Sequence, residues 1–190
     1  MSESTTNYRL AERVRALDPT RPVTAAFNYD WTAEDMRPSQ KLETMIDFMT
    51  AFGNVPHLHW DKVDASFGTL DLCGYNYDWK QYRVDHERVP DRIMAGTESF
   101  PLQAYDNWQC VVELPYVIGD FVWTSLDYLG ESGIGKLAFK DDPPSFLGAY
   151  PWHQANCGDL DLCGFKRPQS YYRDTVWHDD PRLFIAVHPP

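Results

Sequence analysis

In the stretch 92–100, RIMAGTESF, a short apolar run ends on one carboxylate, Glu98, set beside an aromatic ring. A carboxylate held at the end of such a run can act as a nucleophile toward the anomeric carbon of a sugar. It can equally be a solvated charge, or an anion at the N-terminus of the helix expected just after it, and position alone does not separate these readings. Two other strand-like runs end on side chains suited to a polar ligand: TLDLCGYNY closes on Asn76 and Tyr77, and YVIGDFVWTSL carries Trp123 near its end. Tyr77 can hydrogen-bond Glu98 across adjacent strands and keep it ionised, and Trp123 can stack on a sugar ring. Asn28, Asn76 and Asn156 can read hydroxyl groups or can serve as turn residues, the turn reading being at least as good for Asn156. Every one of these rings is also a candidate for the core.

Strands and helices must alternate to bring these side chains together, and the pattern supplies that alternation. Leu10, Val14 and Leu17 predict a helix over 7–17, stopped by Pro19 and Pro22, and VTAAF at 23–27 then reads as a strand. Leu42, Met45, Ile46 and Met49 predict a second helix over 38–52, followed by irregular chain over 54–68. A strand at 69–77, a short helix or loop at 81–90, the strand of Glu98, a helix at 103–114 and a strand at 116–126 complete four units. Continuous apolar strands separated by helices imply a parallel sheet. The expected class is therefore α/β, and polar or aromatic residues at each strand's C-terminal end match half of a (β/α)8 barrel, whose sites gather at that end. An open flavodoxin-like sheet is the runner-up, weakened because no Gly-rich phosphate loop follows any strand. Beyond 126 the alternation lapses until a helix at 170–179 and a strand-like tail at 180–190.

Composition narrows the ligand classes. The 190 residues fit one domain, and a formal charge of -11, with 17 Lys and Arg scattered along the chain, argues against nucleic acid and against an anionic membrane as partners. Aromatics make up 15% of the chain, with 7 Trp and 11 Tyr, which favours flat, uncharged polar ligands such as carbohydrate. Cys73, Cys110, Cys157 and Cys163 form no CxxC pair and have no zinc-type His spacing, so buried free thiols are expected, with no metal and no cofactor. No signal peptide and no membrane-spanning run is visible, so a soluble protein of the cytoplasm or another reducing compartment is expected.

Five segments carry a likeness in their order: LDPTRPVTAA, LCGYNY, DRIMAGTESFPLQAYDNW, YVIGDFVWTSLDYLGESGIG and NCGDLDLCGFKRPQSYYRDTVW. Together they resemble the catalytic barrel of glycoside hydrolase family 2, the β-galactosidase family, over nearly the whole chain, with 31–68 the least familiar part. The resemblance implies a retaining glycosidase and places residues 1–179 as the C-terminal half of the (β/α)8 barrel, about strands five to eight. The tail at 180–190 would then lead toward a further domain. It makes Glu98 the nucleophile, Tyr77 the tyrosine that contacts it and Trp123 the aromatic near the sugar. Asp127, Tyr128 and Glu131 would lie on the loop that approaches substrate, and Asp159 near a position that binds a sugar hydroxyl in some relatives.

The same resemblance implies a general acid/base glutamate, in an Asn-Glu pair before the helix at 7–17, and MSESTT holds no such pair. Retaining hydrolysis needs two carboxyl groups about 5–5.5 Å apart, so only the attacking one is identifiable. Asp120, Asp127 and Glu131 are poor substitutes. The expectation is thus a fragment that carries the nucleophile but lacks the acid/base, acting on a carbohydrate substrate, with exposed sheet edges open to self-association. The alternative is a non-catalytic half-barrel that binds carbohydrate or another protein.

Overall fold

The computed structural model describes residues 3–28, 60–130, 133–136 and 151–187. The helix expected at 38–52 and the candidate Glu131 lie outside the described residues. In chain order the elements are α1 (Glu3–Leu17), β1 (Thr24–Phe27), α2 (Trp60–Phe67), β2 (Leu72–Asn76), α3 (Gln81–Arg88) and β3 (Met94–Ser99). A 3-10 turn (Pro101–Gln103) then leads into α4 (Ala104–Glu113), β4 (Val117–Val122), β5 (Tyr128–Leu129), β6 (Gln154–Ala155) and α5 (Pro168–Trp177). Strands β1 to β4 form one parallel sheet in sequential order, and β5 pairs antiparallel with β6. The α/β class read from the apolar strands is the class observed.

Several elements differ from the sequence reading: the strands expected at 69–77 and 116–126 are shorter, the last helix runs Pro168–Trp177 rather than 170–179, and others differ for local reasons. No Pro or Gly interrupts the residues before 7, and α1 starts at Glu3. The segment 54–68, expected to be irregular, contains α2: Val63 and Phe67 recur at helical spacing, and the Gly68 amide closes the helix on the Asp64 carbonyl at 2.9 Å. The ribbon β5–β6 was not anticipated, because two-residue strands leave no periodicity to read. Residues 181–187 pair with no strand among the described residues.

One face of the sheet carries the core. Phe27, Phe67, Tyr75 and Tyr82 form a chain of rings with centroids 5.0–5.3 Å apart, running from β1 through α2 and β2 to α3. Met94 and Val117 extend this layer beneath Cys110 and Leu114. A buried ionic network ties the layer together. Asp85, fully buried on α3, accepts hydrogen bonds from the Tyr75 hydroxyl at 2.7 Å, Arg92 at 2.9 Å and Gln81 at 2.9 Å. Arg92 and Arg88 both reach on to Asp64 of α2. Breaking one partner of such a network leaves a buried charge uncompensated, which typically costs about 3–5 kcal/mol.

The apolar stripe of α1 is not part of this core. Leu10, Val14 and Leu17 are exposed, and α1 leans on α2 through Ala11 and a polar seam, with Asn7 donating to Ser66 at 3.1 Å and Arg15 to the Thr69 carbonyl at 2.9 Å. The thiols divide as well. Cys73 and Cys110 are buried and free, as expected, but Cys157 is half-buried and Cys163 exposed, because both sit in the loop region before α5 rather than under a helix.

Candidate active site

β3 carries one residue more than its neighbours over its C-terminal half. On the β2 side Tyr75 pairs with Gly96 and Asn76 with Glu98; on the β4 side Gly96 pairs with Asp120 and Ser99 with Val122. Both ladders slip at Thr97–Glu98, a bulge that bends the strand and re-aims side chains, and the β4 ladder slips once more in the opposite sense between Met94 and Gly96. Residues paired across strands share a face. Asn76 and Glu98 therefore share one face, while Tyr75, Gly96 and Asp120 share the face packed by helices.

Neighbouring groups pin the bulge from both sides. The Thr97 hydroxyl donates to Asn76 Oδ1 at 2.8 Å, the Tyr77 amide to the Glu98 carbonyl at 2.7 Å, and the Trp123 amide to the Ser99 carbonyl at 3.0 Å. Tyr77 adopts a positive φ of 59°, a left-handed conformation that L residues other than Gly seldom take. Its phenol hydrogen-bonds the Glu98 side chain, and burial, then that hydrogen bond, then the Glu98 charge push the phenol's pKa far up, so it stays a donor. Phe100 stacks on the Tyr77 ring with centroids 4.2 Å apart. Trp123, half-buried, precedes a cis peptide bond to Thr124 and meets Tyr128 edge-on at 6.5 Å. Tyr128 and Cys157 are both close enough for their charges to act on the Tyr77 phenol.

Glu98, Tyr77, Asn76 and Trp123 thus come together at one end of the sheet, as the strand ends suggested. Other candidates do not present themselves to that space. Asp127 is buried and fully engaged inside the protein: Gly158 donates to Oδ1 at 2.8 Å, Gln154 to Oδ2 at 3.0 Å, and Arg167 pairs with Oδ2. It holds the loop between β4 and α5. Asp159 is likewise buried, paired with Arg173 Nε at 2.6 Å. Asp120 points into the helix-packed face, where Ser99 donates to its Oδ2 at 2.9 Å, so it lies on the face opposite Glu98. Asn156 acts as a loop residue, its amide bound to the Ile134 carbonyl and its side chain to the Gln154 carbonyl. Asn28 stands exposed one residue past β1. Phe100 and Cys157 were not singled out as site residues; Phe100 directly follows the Glu98–Ser99 pair, but only the fold brings Cys157 to Tyr77.

Among the described residues, no group of three or more His, Cys, Asp or Glu is arranged to hold a metal ion, and no helix is long and apolar enough to cross a membrane.

No family model matches the chain. The β-galactosidase BoGH2A of Bacteroides ovatus is 25% identical over 198 residues, which cover 95% of this chain and 22% of that protein. A solved glycosyl hydrolase family 2 member from Bacteroides cellulosilyticus is 39% identical with a TM-score of 0.68, covering 93% of this chain and 18% of its own. A second, from Bacteroides cellulosilyticus DSM 14838, is 36% identical with a TM-score of 0.62, covering 93% of this chain and 17% of its own. The chain spans about a fifth of the length of these relatives.

Proposed function

We propose that this glycoside hydrolase family 2-like domain carries the nucleophile half of a retaining glycosidase site. In this reading residues 1–179 are the C-terminal half of a (β/α)8 barrel, and 180–190 lead into a following domain. Glu98 attacks the anomeric carbon; the glycosidic bond breaks as the carbon–carboxylate bond forms, and the departing oxygen takes a proton from an acid that another part of the barrel supplies. Water then cleaves the glycosyl ester and restores Glu98. Tyr77 orients the carboxylate by its hydrogen bond, and Trp123 with Tyr128 offers a surface for the sugar's apolar face.

The observation that carries this reading is the Tyr77–Glu98 hydrogen bond at a bulged parallel strand end. β-Galactoside is the favoured substrate class, because a β-galactosidase aligns along 95% of the chain. The second reading is carbohydrate binding without turnover. It draws on the engagement of Asp120 by Ser99, Asp127 by Gly158 and Asp159 by Arg173, which leaves none of the three free to serve as the second acid.

Incubation with 2-deoxy-2-fluoro-β-galactosyl fluoride separates the two, since its leaving group needs little protonation. Covalent labelling supports the hydrolase reading. Reversible binding without labelling supports the second.

A further inference from the structure

Among the carboxylates that the proposed chemistry leaves unused, Asp120 meets the β3 bulge. It stands on β4 opposite Gly96, and a Cβ at Gly96 would fall onto Asp120 Oδ1 and within 2.9 Å of the Tyr82 hydroxyl. The closeness of β3 to this carboxylate therefore depends on glycine. Oδ2 accepts the Ser99 hydroxyl at 2.9 Å, and Ser99 directly follows Glu98. Oδ1 is buried and accepts no hydrogen bond. Charged or titratable groups that act on this carboxylate come from three helices: Tyr82 from α3, Cys110 from α4 and Arg173 from α5. Arg173 is itself 6% exposed, with its Nε held by Asp159.

We infer that Asp120 is a positioning residue, which by accepting the Ser99 hydroxyl closes the β3 bulge from the helix side and so fixes the direction of Glu98 on the opposite face. The inference rests on Glu98 being the nucleophile, and it explains why the slip in register is shared by both ladders. Thr97 is tied to Asn76 on the β2 side, and Ser99 is tied to Asp120 on the β4 side. Glu98 is the residue between these two ties. Loss of either tie lets the extra residue relax along the strand.

Burial pushes the Asp120 carboxyl up to about 6, against the opposing pull of Ser99 and Arg173. The clamp is therefore set above pH 6 and weakened below it, because a protonated carboxyl is the poorer acceptor.

The test uses the whole chain, with Asp120→Asn, Ser99→Ala and the hydroxyl-retaining Ser99→Thr. Amide 15N and 1H shifts of Thr97, Glu98 and Ser99, followed from pH 4.5 to 8 as suggested by the titration range above, are expected to share an inflection near pH 6 in the wild type and in Ser99→Thr. The inflection should vanish in Asp120→Asn and shrink in Ser99→Ala. In parallel, Asp120→Asn and Ser99→Ala should slow the maximal rate of labelling by the 2-fluoro-galactosyl fluoride by about tenfold, leaving half-saturation unchanged. An inflection that survives in Asp120→Asn, or its absence from the wild type, overturns the inference. Labelling that fails in every variant while the amide inflection behaves as stated overturns the assignment of Glu98 instead, and leaves the clamp standing.

Discussion

Tyr77 joins two demands in one residue: its backbone turns left-handed at the end of β2, and its phenol meets Glu98. A hydrogen bond to a charged group contributes about 1.5–3 kcal/mol, so Tyr77→Phe should lower the rate of covalent trapping by about tenfold or more while the unfolding midpoint moves little. Trapping at the wild-type rate would remove Tyr77 from the site. Asp64 supplies a pH dependence of a different kind. Hydrogen bonds and charge from Arg88 and Arg92 outweigh burial and hold its carboxyl below the usual value near 3.8. A depressed carboxyl stabilises the fold above its unfolded pKa, and that stability is lost as pH falls through the folded value. Urea midpoints should therefore fall below about pH 4, and Asp64→Asn should flatten that decline. At this scale the sequence displays the positions of Glu98, Tyr77 and Trp123, because each stands at a strand end. It does not display the internal ties of Asp127, whose partners Gly158, Gln154 and Arg167 lie 27 to 40 positions away and leave no local pattern.

Elements explain which parts of the chain were legible. The four strands of the sheet announce themselves because each is a continuous apolar run flanked by helix signals, the pattern of a parallel sheet. The bulge in β3 does not, since MAGTES reads as an unbroken strand and only the ladders with β2 and β4 expose the extra residue. Gly96 is the one sequence trace of it. Gly96→Ala should push β3 away from Asp120 and Tyr82, at a cost of about 1–3 kcal/mol in urea unfolding, whereas an exposed alanine substitution on α4 such as Val112→Ala should cost far less. Equal costs at the two positions would mean that the contact between strands is slack. The loop after β4 was readable only as a loop; its two anchors, Arg167 just before α5 to Asp127 and Arg173 within α5 to Asp159, follow no period.

For the molecule as a whole, the sheet ends on β1 and β4 among the described residues. Ile118 and Phe121 on β4 are 60% and 64% exposed, and Leu10, Val14 and Leu17 on α1 are exposed as well. Two copies set edge to edge would continue the parallel order to eight strands, the number at which a barrel's interior is filled by side chains. The chain alone should therefore sediment as a dimer at micromolar concentration, and Phe121→Lys should return it to monomer; a wild-type monomer under the same conditions would set self-association aside. Whether Glu98 is the nucleophile is decided by peptide-level mass spectrometry after 2-deoxy-2-fluoro-β-galactosyl fluoride treatment. A fluorosugar ester is expected on Glu98 in the wild type and none in Glu98→Gln. A label on another carboxylate, or equal labelling of Glu98→Gln, would contradict that assignment.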